Sequence, residues 1–296
     1  VVVYVSWGTT YLATSIAMKE EHMPPALFGG SRICLAGVLL LSCQACRGQS
    51  LRLTWREGGS LLLIGAFLFL SANLLINVGQ QEVSSGVAAI LVATTPLWMG
   101  LFGMLWPSGE RLSVRGWLGL MLGFAGIAVT MAGHLHGALA LLDDYRHLFI
   151  LASAASWAMG SLISRHLKLN IPHLTSAGWQ MLFGGLCQMS AGIALGEWHS
   201  LPDPITRRVV VAFVYLLIFG SLSGFVAFNW LLGHVPAIRV GTYAYVNPVI
   251  AVLVGWCAGE TALEMSLLAG IALVLAGIYL VRADHRPSQE IELEPD

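Results

Sequence analysis

The side chains able to do chemistry in this chain are few, and most carry no charge. Arg32 is the one formal charge placed deep within an apolar run. A guanidinium at the centre of a membrane helix costs about 2.5–3.5 kcal/mol on insertion scales. Counted from Pro25 it lies roughly 10 Å along a helix rising 1.5 Å per residue. Two uses stand: the side chain reaches back to the interface, or it holds a ligand carboxylate. Asn247 and Tyr243 stand four residues apart and so share a helix face, as do Thr94 and Trp98. Thr95 precedes Pro96 as Asn247 precedes Pro248. Amides and hydroxyls beside aromatic rings suit a small amphipathic ligand, and the same residue types also serve as hydrogen bonds between helices. Trp7 and Trp157 fall mid-run, where an indole N–H asks for a protein or cavity partner; core packing is the alternative use.

Pro96 and Pro248 remove one helical hydrogen bond each and crowd the carbonyls of Val92 and Ala244. They are expected to be hinges or cavity markers, or simply kinks that improve packing. Asn73, Asn77 and Asn229 lie toward the ends of their runs, as gate residues or as helix caps. None of the 16 Asp and Glu and none of the nine His falls mid-run. That leaves no nucleophile with its base and no metal cluster to support an integral membrane enzyme, and neither metal nor cofactor is expected. No repeated filter sequence points to a channel. Coupling through a buried carboxylate is disfavoured for the same reason, so a facilitator or exchanger fits better than a proton-coupled carrier.

The elements that must position these residues follow from composition. Of 296 residues, 56% are apolar and 10% charged, with mean hydropathy +0.75; a soluble domain carries about 25% charge. Fifteen basic against 16 acidic residues leave no field for nucleic acid, and the partner that fits is a lipid bilayer. Ten apolar runs of membrane-crossing length appear: 1–18, 25–46, 61–78, 84–105, 116–133, 147–164, 175–195, 209–232, 238–258 and 266–281. The first is read as a span and not a signal peptide, since no basic segment precedes it and no small-residue cleavage site follows. Residues 282–296 read as a disordered tail. Cys34, Cys43, Cys46, Cys187 and Cys257 show no ligand or disulfide spacing and read as packing residues. Alternate connections hold ten basic residues against four, which places both termini on the cytoplasmic side.

The two halves echo each other. Asn77, Val83 and Pro96 recur as Asn229, Val235 and Pro248, Ser6-Trp7 as Ser156-Trp157, Gly109-Glu110 as Gly259-Glu260, and Gly119 through Ile127 as Gly270 through Ile278. Five spans per half is an odd number, so the second half enters the membrane from the opposite face. The expected fold is all-α, with ten transmembrane helices as two inverted five-helix repeats, 1–140 and 141–281. Inverted repeats are the architecture of many secondary transporters, with substrate held near the midplane. Both halves lie in one chain, so a monomer suffices and a dimer stays open. Gly119-x-x-x-Gly123 and Gly220-x-x-x-Gly224 are expected to allow close helix packing.

The ordered stretches Ser6-Trp7-Gly8-Thr9-Thr10-Tyr11, Gly86-Val87-Ala88-Ala89-Ile90 with Thr94-Thr95-Pro96-Leu97, Ser156 through Ser161, and Tyr243 through Val249 resemble the ten-helix drug/metabolite transporter superfamily, in particular its EamA-type bacterial exporters. The resemblance covers essentially the whole chain. It implies the inverted five-plus-five fold, a bacterial inner-membrane location and export of small metabolites, amino acids or amphipathic drugs. The sugar-phosphate and nucleotide-sugar exchangers of the same superfamily bring several basic residues to the cavity; here only Arg32 is available.

Overall fold

The computed structural model describes residues 2–83, 85–105, 112–130, 145–167, 169–257 and 265–284. Gly109-Glu110, Gly259-Glu260, Arg111, Lys168, Arg286 and nearly all of the expected tail lie outside the described residues. Among the described residues every regular element is helical. In chain order these are α1 (Val2–Gly8), α2 (Thr10–Ser15), α3 (Pro25–Cys46), α4 (Trp55–Gly65), α5 (Leu74–Gly79), α6 (Ser85–Val92), α7 (Thr95–Met104), α8 (Val114–Thr130), α9 (Tyr145–His166), α10 (His173–Ala194), α11 (Arg207–Tyr215), α12 (Val226–His234), α13 (Ala237–Gly241), α14 (Tyr243–Cys257) and α15 (Met265–Ala283). Four continuous helical stretches, Pro25–Cys46, Trp55–Gly79, Tyr145–His166 and Arg207–His234, are each long and apolar enough to cross a membrane.

Local chemistry sets the ends. α3 starts on Pro25, whose missing N–H costs nothing at a first turn, and stops before Gly48, which takes the left-handed φ of +73°. The free N–H groups of Ala26 and Leu27 donate to the Glu197 carboxylate at 3.1 and 2.8 Å, so a distant loop caps this helix. α4 begins at Trp55, six residues before the expected start of that span, because Thr54 and Glu57 form a capping box ahead of the apolar run. Thr206 N-caps α11 through its hydroxyl alone, accepting from Val209 N at 3.2 Å.

Two stretches depart from α geometry in the middle of long helices. Ala66–Asn73 joins α4 to α5 and Leu216–Phe225 joins α11 to α12, both as π-helix. Wider π turns release carbonyls from the regular ladder, and side chains take them up. Ser156 Oγ donates to Phe67 O at 2.8 Å and Ser153 Oγ to Ala72 O at 2.7 Å. In the other stretch, Trp7 Nε1 donates to Gly220 O at 2.9 Å and Arg32 Nη1 to Leu216 O at 3.3 Å.

Helix pairs close through glycines. A Cβ at Gly30 would lie 2.6 Å from Met189 N and 3.0 Å from Gly185 O; one at Gly37 would lie 2.5 Å from Leu182 N and 2.9 Å from Gly178 O. α3 and α10 therefore meet backbone to backbone. α8 and α15 do the same, with Gly119 against Gly277 O and Gly126 against Gly270 O, each at 2.8 Å. Gly224 makes room for the Trp7 indole, whose Nε1 would stand 2.2 Å from a Cβ there, whereas a Cβ at Gly220 would meet Arg32 and Thr10 only at 3.5 Å.

Candidate functional site

A cavity opens between these helices. It runs toward the end of the bundle where Arg146 and Glu82, Arg208 and Glu20, and Thr206 and Glu21 pair across the connections. Its inner surface is aromatic. The Trp7 ring centroid lies 4.7 Å from Tyr243, 5.1 Å from Phe228 and 5.3 Å from Trp157. Phe225 and Phe69 extend the cluster from the two π stretches, 6.2 and 6.4 Å from Trp157. Edge-on contacts of this kind fix each ring's orientation.

Over this floor stand polar groups with unmet hydrogen bonds. Asn247 is 1% exposed, and neither atom of its amide has a partner at hydrogen-bond geometry, although the Tyr11 phenol lies close by. Trp157 Nε1 faces the Tyr243 phenol without meeting that geometry. Arg32 does not reach back to the interface. It is 7% exposed, and Nη1 is held by Ser221 Oγ at 2.6 Å and by Leu216 O, while Nε has no partner. Among the described residues no carboxylate lies within 4 Å of it. Nearer the mouth, Asn77 Nδ2 donates to Pro25 O and to Asn73 Oδ1, both at 3.3 Å, and Gln188 shares the same two acceptors. Buried polar groups without partners are costly, so this arrangement fits a site whose remaining bonds come from water or ligand.

Of the residues singled out in the sequence, Trp7, Arg32, Trp157, Tyr243 and Asn247 line the cavity, together with Thr95, Asn73 and Asn77. Thr94 and Trp98 do not. They bond to each other, Trp98 Nε1 to Thr94 Oγ1 at 3.2 Å, and Trp98 packs on Phe102. The helix breaks at Ala93–Thr94, which turns Thr95 inward in place of Thr94. Pro96 sits in the first turn of α7, and the Val92 carbonyl it frees is taken by Thr95 Oγ1 at 2.6 Å; at the break, Thr94 Oγ1 donates to Leu91 O, also at 2.6 Å. Pro248 lies inside α14, and the break falls six residues earlier at Thr242. Asn229 lies within α12 and caps nothing; it donates to Gln180 Oε1 at 3.2 Å, away from the cavity. Tyr245 is fully buried and donates to Leu120 O at 2.9 Å.

Sequence reasoning passed over Tyr11 and Thr14, although positions 7, 11 and 14 form one helical face. It also passed over Ser221 and the π-helical carbonyls. No residue pattern in a single sequence announces a π turn.

The EamA-like transporter family model matches residues 1–132 and 145–283. The chain is 33% identical over 289 residues to the inner membrane transporter YedA of Escherichia coli (strain K12), covering 95% of this chain and 90% of that protein. It is 27% identical to the transporter YvbV of Bacillus subtilis (strain 168), over 94% of this chain and 88% of the other. A probable amino-acid metabolite efflux pump of Salmonella typhimurium is 26% identical, with 94% and 91% covered. One solved crystal structure, 22% identical, superposes with a TM-score of 0.74 over 96% of both chains, a likeness of fold.

Proposed function

The chain belongs to the EamA-like transporter family, and from that premise we propose that it exports small organic metabolites across a bacterial inner membrane by alternating access. In this reading ten helices cross the bilayer as two inverted five-helix units, residues 1–140 and 141–281, with both termini cytoplasmic. Several reciprocal contacts support the inversion. An offset of 148 carries Gly30 to Gly178 and Gly37 to Gly185, so the contact Gly30–Gly185 exchanges with Gly37–Gly178. An offset of 151 does the same for Gly119–Gly277 and Gly126–Gly270. An offset of 152 carries the Thr54 cap to the Thr206 cap and the first π stretch into the second.

The observation that carries the transport reading is the cavity itself: it is walled by helices from both halves, open toward one end and sealed toward the other by the Trp7–Trp157–Tyr243–Phe228 cluster. Such a site between repeats is where a rocking carrier holds its substrate. The sealed end also carries the Gln180–Asn229 bond. Under the same offsets Gln180 corresponds to Arg32 and Asn229 to Asn77, both of which line the cavity on the open side. Rocking would open the first pair and bring the second together.

The test is flux through proteoliposomes, with and without a pH gradient, against a panel of amino acids, carboxylic acids, nucleosides and cationic drugs. Saturable flux of at least one compound, reduced in Asn247→Ala and Tyr243→Phe protein of unchanged thermal stability, is expected. Flux that saturates identically in those variants removes the cavity from the pathway.

A further inference from the structure

The charge inventory of the cavity is lopsided. Among the described residues its lining holds one basic side chain, Arg32, and no Asp, Glu, Lys or His. Both groups that hold Arg32 are neutral, the Ser221 hydroxyl and the Leu216 carbonyl. Nε is left over, and no carboxylate among the described residues approaches within 4 Å. A buried cation without a counter-ion is held at a cost that a bound anion removes. Planar guanidinium donors match a carboxylate in particular.

Resting on the transport reading above, we propose that the cavity selects organic monoanions: a carboxylate bound at Arg32 and Ser221, an uncharged aromatic or aliphatic body over the Trp7–Trp157–Tyr243 floor, and any neutral polar end at Asn247. The same inventory discriminates against two neighbouring classes. A zwitterion brings an ammonium within a few ångströms of its own carboxylate, and therefore next to the guanidinium, where like charges repel. Nothing anionic in the lining receives it. A phosphate dianion exceeds the single positive charge available. Asn247 supplies a donor and an acceptor, neither held at hydrogen-bond geometry, which orients a hydroxyl, amide or ketone without asking for charge.

Three probes of one shape separate these possibilities: 3-phenylpropionate, L-phenylalanine, which adds the ammonium, and 3-phenylpropionamide, which removes the charge. Binding to the purified full chain in detergent is read from ligand-induced thermal stabilisation and from quenching of tryptophan fluorescence. The acid is expected to bind at least about tenfold more tightly than either analogue. Arg32→Gln should bring acid and amide to equal affinity, and Arg32→Lys should keep part of the preference. The two variants guard against a folding defect, since a misfolded Arg32→Gln protein would lose the amide as well. Equal binding of all three probes, tighter binding of phenylalanine, no binding of the acid at millimolar concentration, or an acid preference that survives Arg32→Gln each overturns the proposal. Failure here is distinct from failure of transport. A preference for the acid with no flux removes the transport reading alone, and flux without the preference removes the anion site alone.

Discussion

Trp7 is the residue on which the floor of the cavity turns, and its seat can be tested from the opposite side of the contact. Gly224 leaves the space that the indole fills. A methyl group there would stand 2.2 Å from Nε1 and 2.7 Å from Cδ1, and also 2.7 Å from the carbonyl of Phe219 in its own helix. Away from the cavity Trp7 cannot retreat, because Trp157, Tyr243 and Phe228 hold it at ring separations near 5 Å, so the indole can yield only into the cavity it lines. Gly224→Ala should thus cost about 1–3 kcal/mol of overpacking. Pushing the indole off Gly220 O adds about 0.5–1.5 kcal/mol for the lost hydrogen bond. Taken together, the thermal midpoint should fall by roughly 2–7 °C for a chain of this size.

The decisive measurement is a double-mutant cycle. Trp7→Phe trims the indole away from Gly224 and leaves the Gly220 carbonyl without its donor. With that space vacated, Gly224→Ala should cost about 1–2 kcal/mol less than it does beside Trp7. The rescue is partial, since the Phe219 carbonyl stays where it was. Thermal unfolding in detergent of the wild type, both single variants and the pair reads the coupling. Additivity within about 0.5 kcal/mol would refute the claim that Trp7 and Gly224 share one space.

Three further outcomes follow from the same contacts. Gly37→Ala places a methyl against backbone atoms of Leu182 and Gly178 and should destabilise the α3–α10 pair by about 1–3 kcal/mol, whereas Gly58→Ala, with nothing within 4 Å, should stabilise α4 by about 0.5–1 kcal/mol; paired thermal melts check both signs. Glu197→Ala removes the acceptor of two α3 N–H groups and should cost about 0.5–2 kcal/mol with transport affinity unchanged, so an altered affinity would show that this loop acts on the site. Asn229→Ala takes away a bond worth about 1 kcal/mol from the sealed end and should raise maleimide labelling of an introduced Ile238→Cys about fivefold, after the exposed Cys43 and Cys46 are replaced; unchanged labelling would separate that bond from the gating equilibrium.

The helices were legible where the chain marks its own stops. α3 runs from Pro25 to Cys46 as the sequence predicts, because a proline pair opens it and Arg47-Gly48 closes it. α4 was misjudged by hydropathy, which sees Arg56, Glu57, Gly58 and Gly59 as connection, although Thr54-x-x-Glu57 is a readable capping box. Residue type at mid-run was enough to pick out Trp7, Trp157, Tyr243 and Asn247 as lining residues, since polar and indole groups at that depth need somewhere to point. Phase was not legible. A helical wheel through Thr94 and Trp98 assumes an unbroken helix, and the break at Ala93–Thr94 resets which face looks inward. The π stretches stayed hidden because their extra residue per turn depends on tertiary partners, the Ser153, Ser156, Trp7 and Arg32 side chains that take the released carbonyls.

These details also separate what repetition supplies from what chemistry requires. Glycine contacts, caps, π stretches and the two tryptophans recur across the halves, and they are the parts that shape and hold the cavity. The groups with unmet bonds do not recur. Arg32 stands opposite Gln180, whose amide is fully engaged with Ser176 and Asn229. Asn247 stands opposite Thr95, whose hydroxyl is satisfied within its own helix by Val92 O. A strictly symmetric cavity would bind a ligand equally well in two opposed orientations. Breaking the symmetry at these two positions gives the site a charged end and a neutral end, so a bound molecule has one preferred direction. Arg32→Gln should therefore remove the charged end and leave the helical scaffold intact; thermal stability near wild type, with 3-phenylpropionate and its amide bound equally and independently of Ser221→Ala, is the expected signature, and a retained dependence of acid binding on Ser221 would show that the polarity of the site does not reside in Arg32.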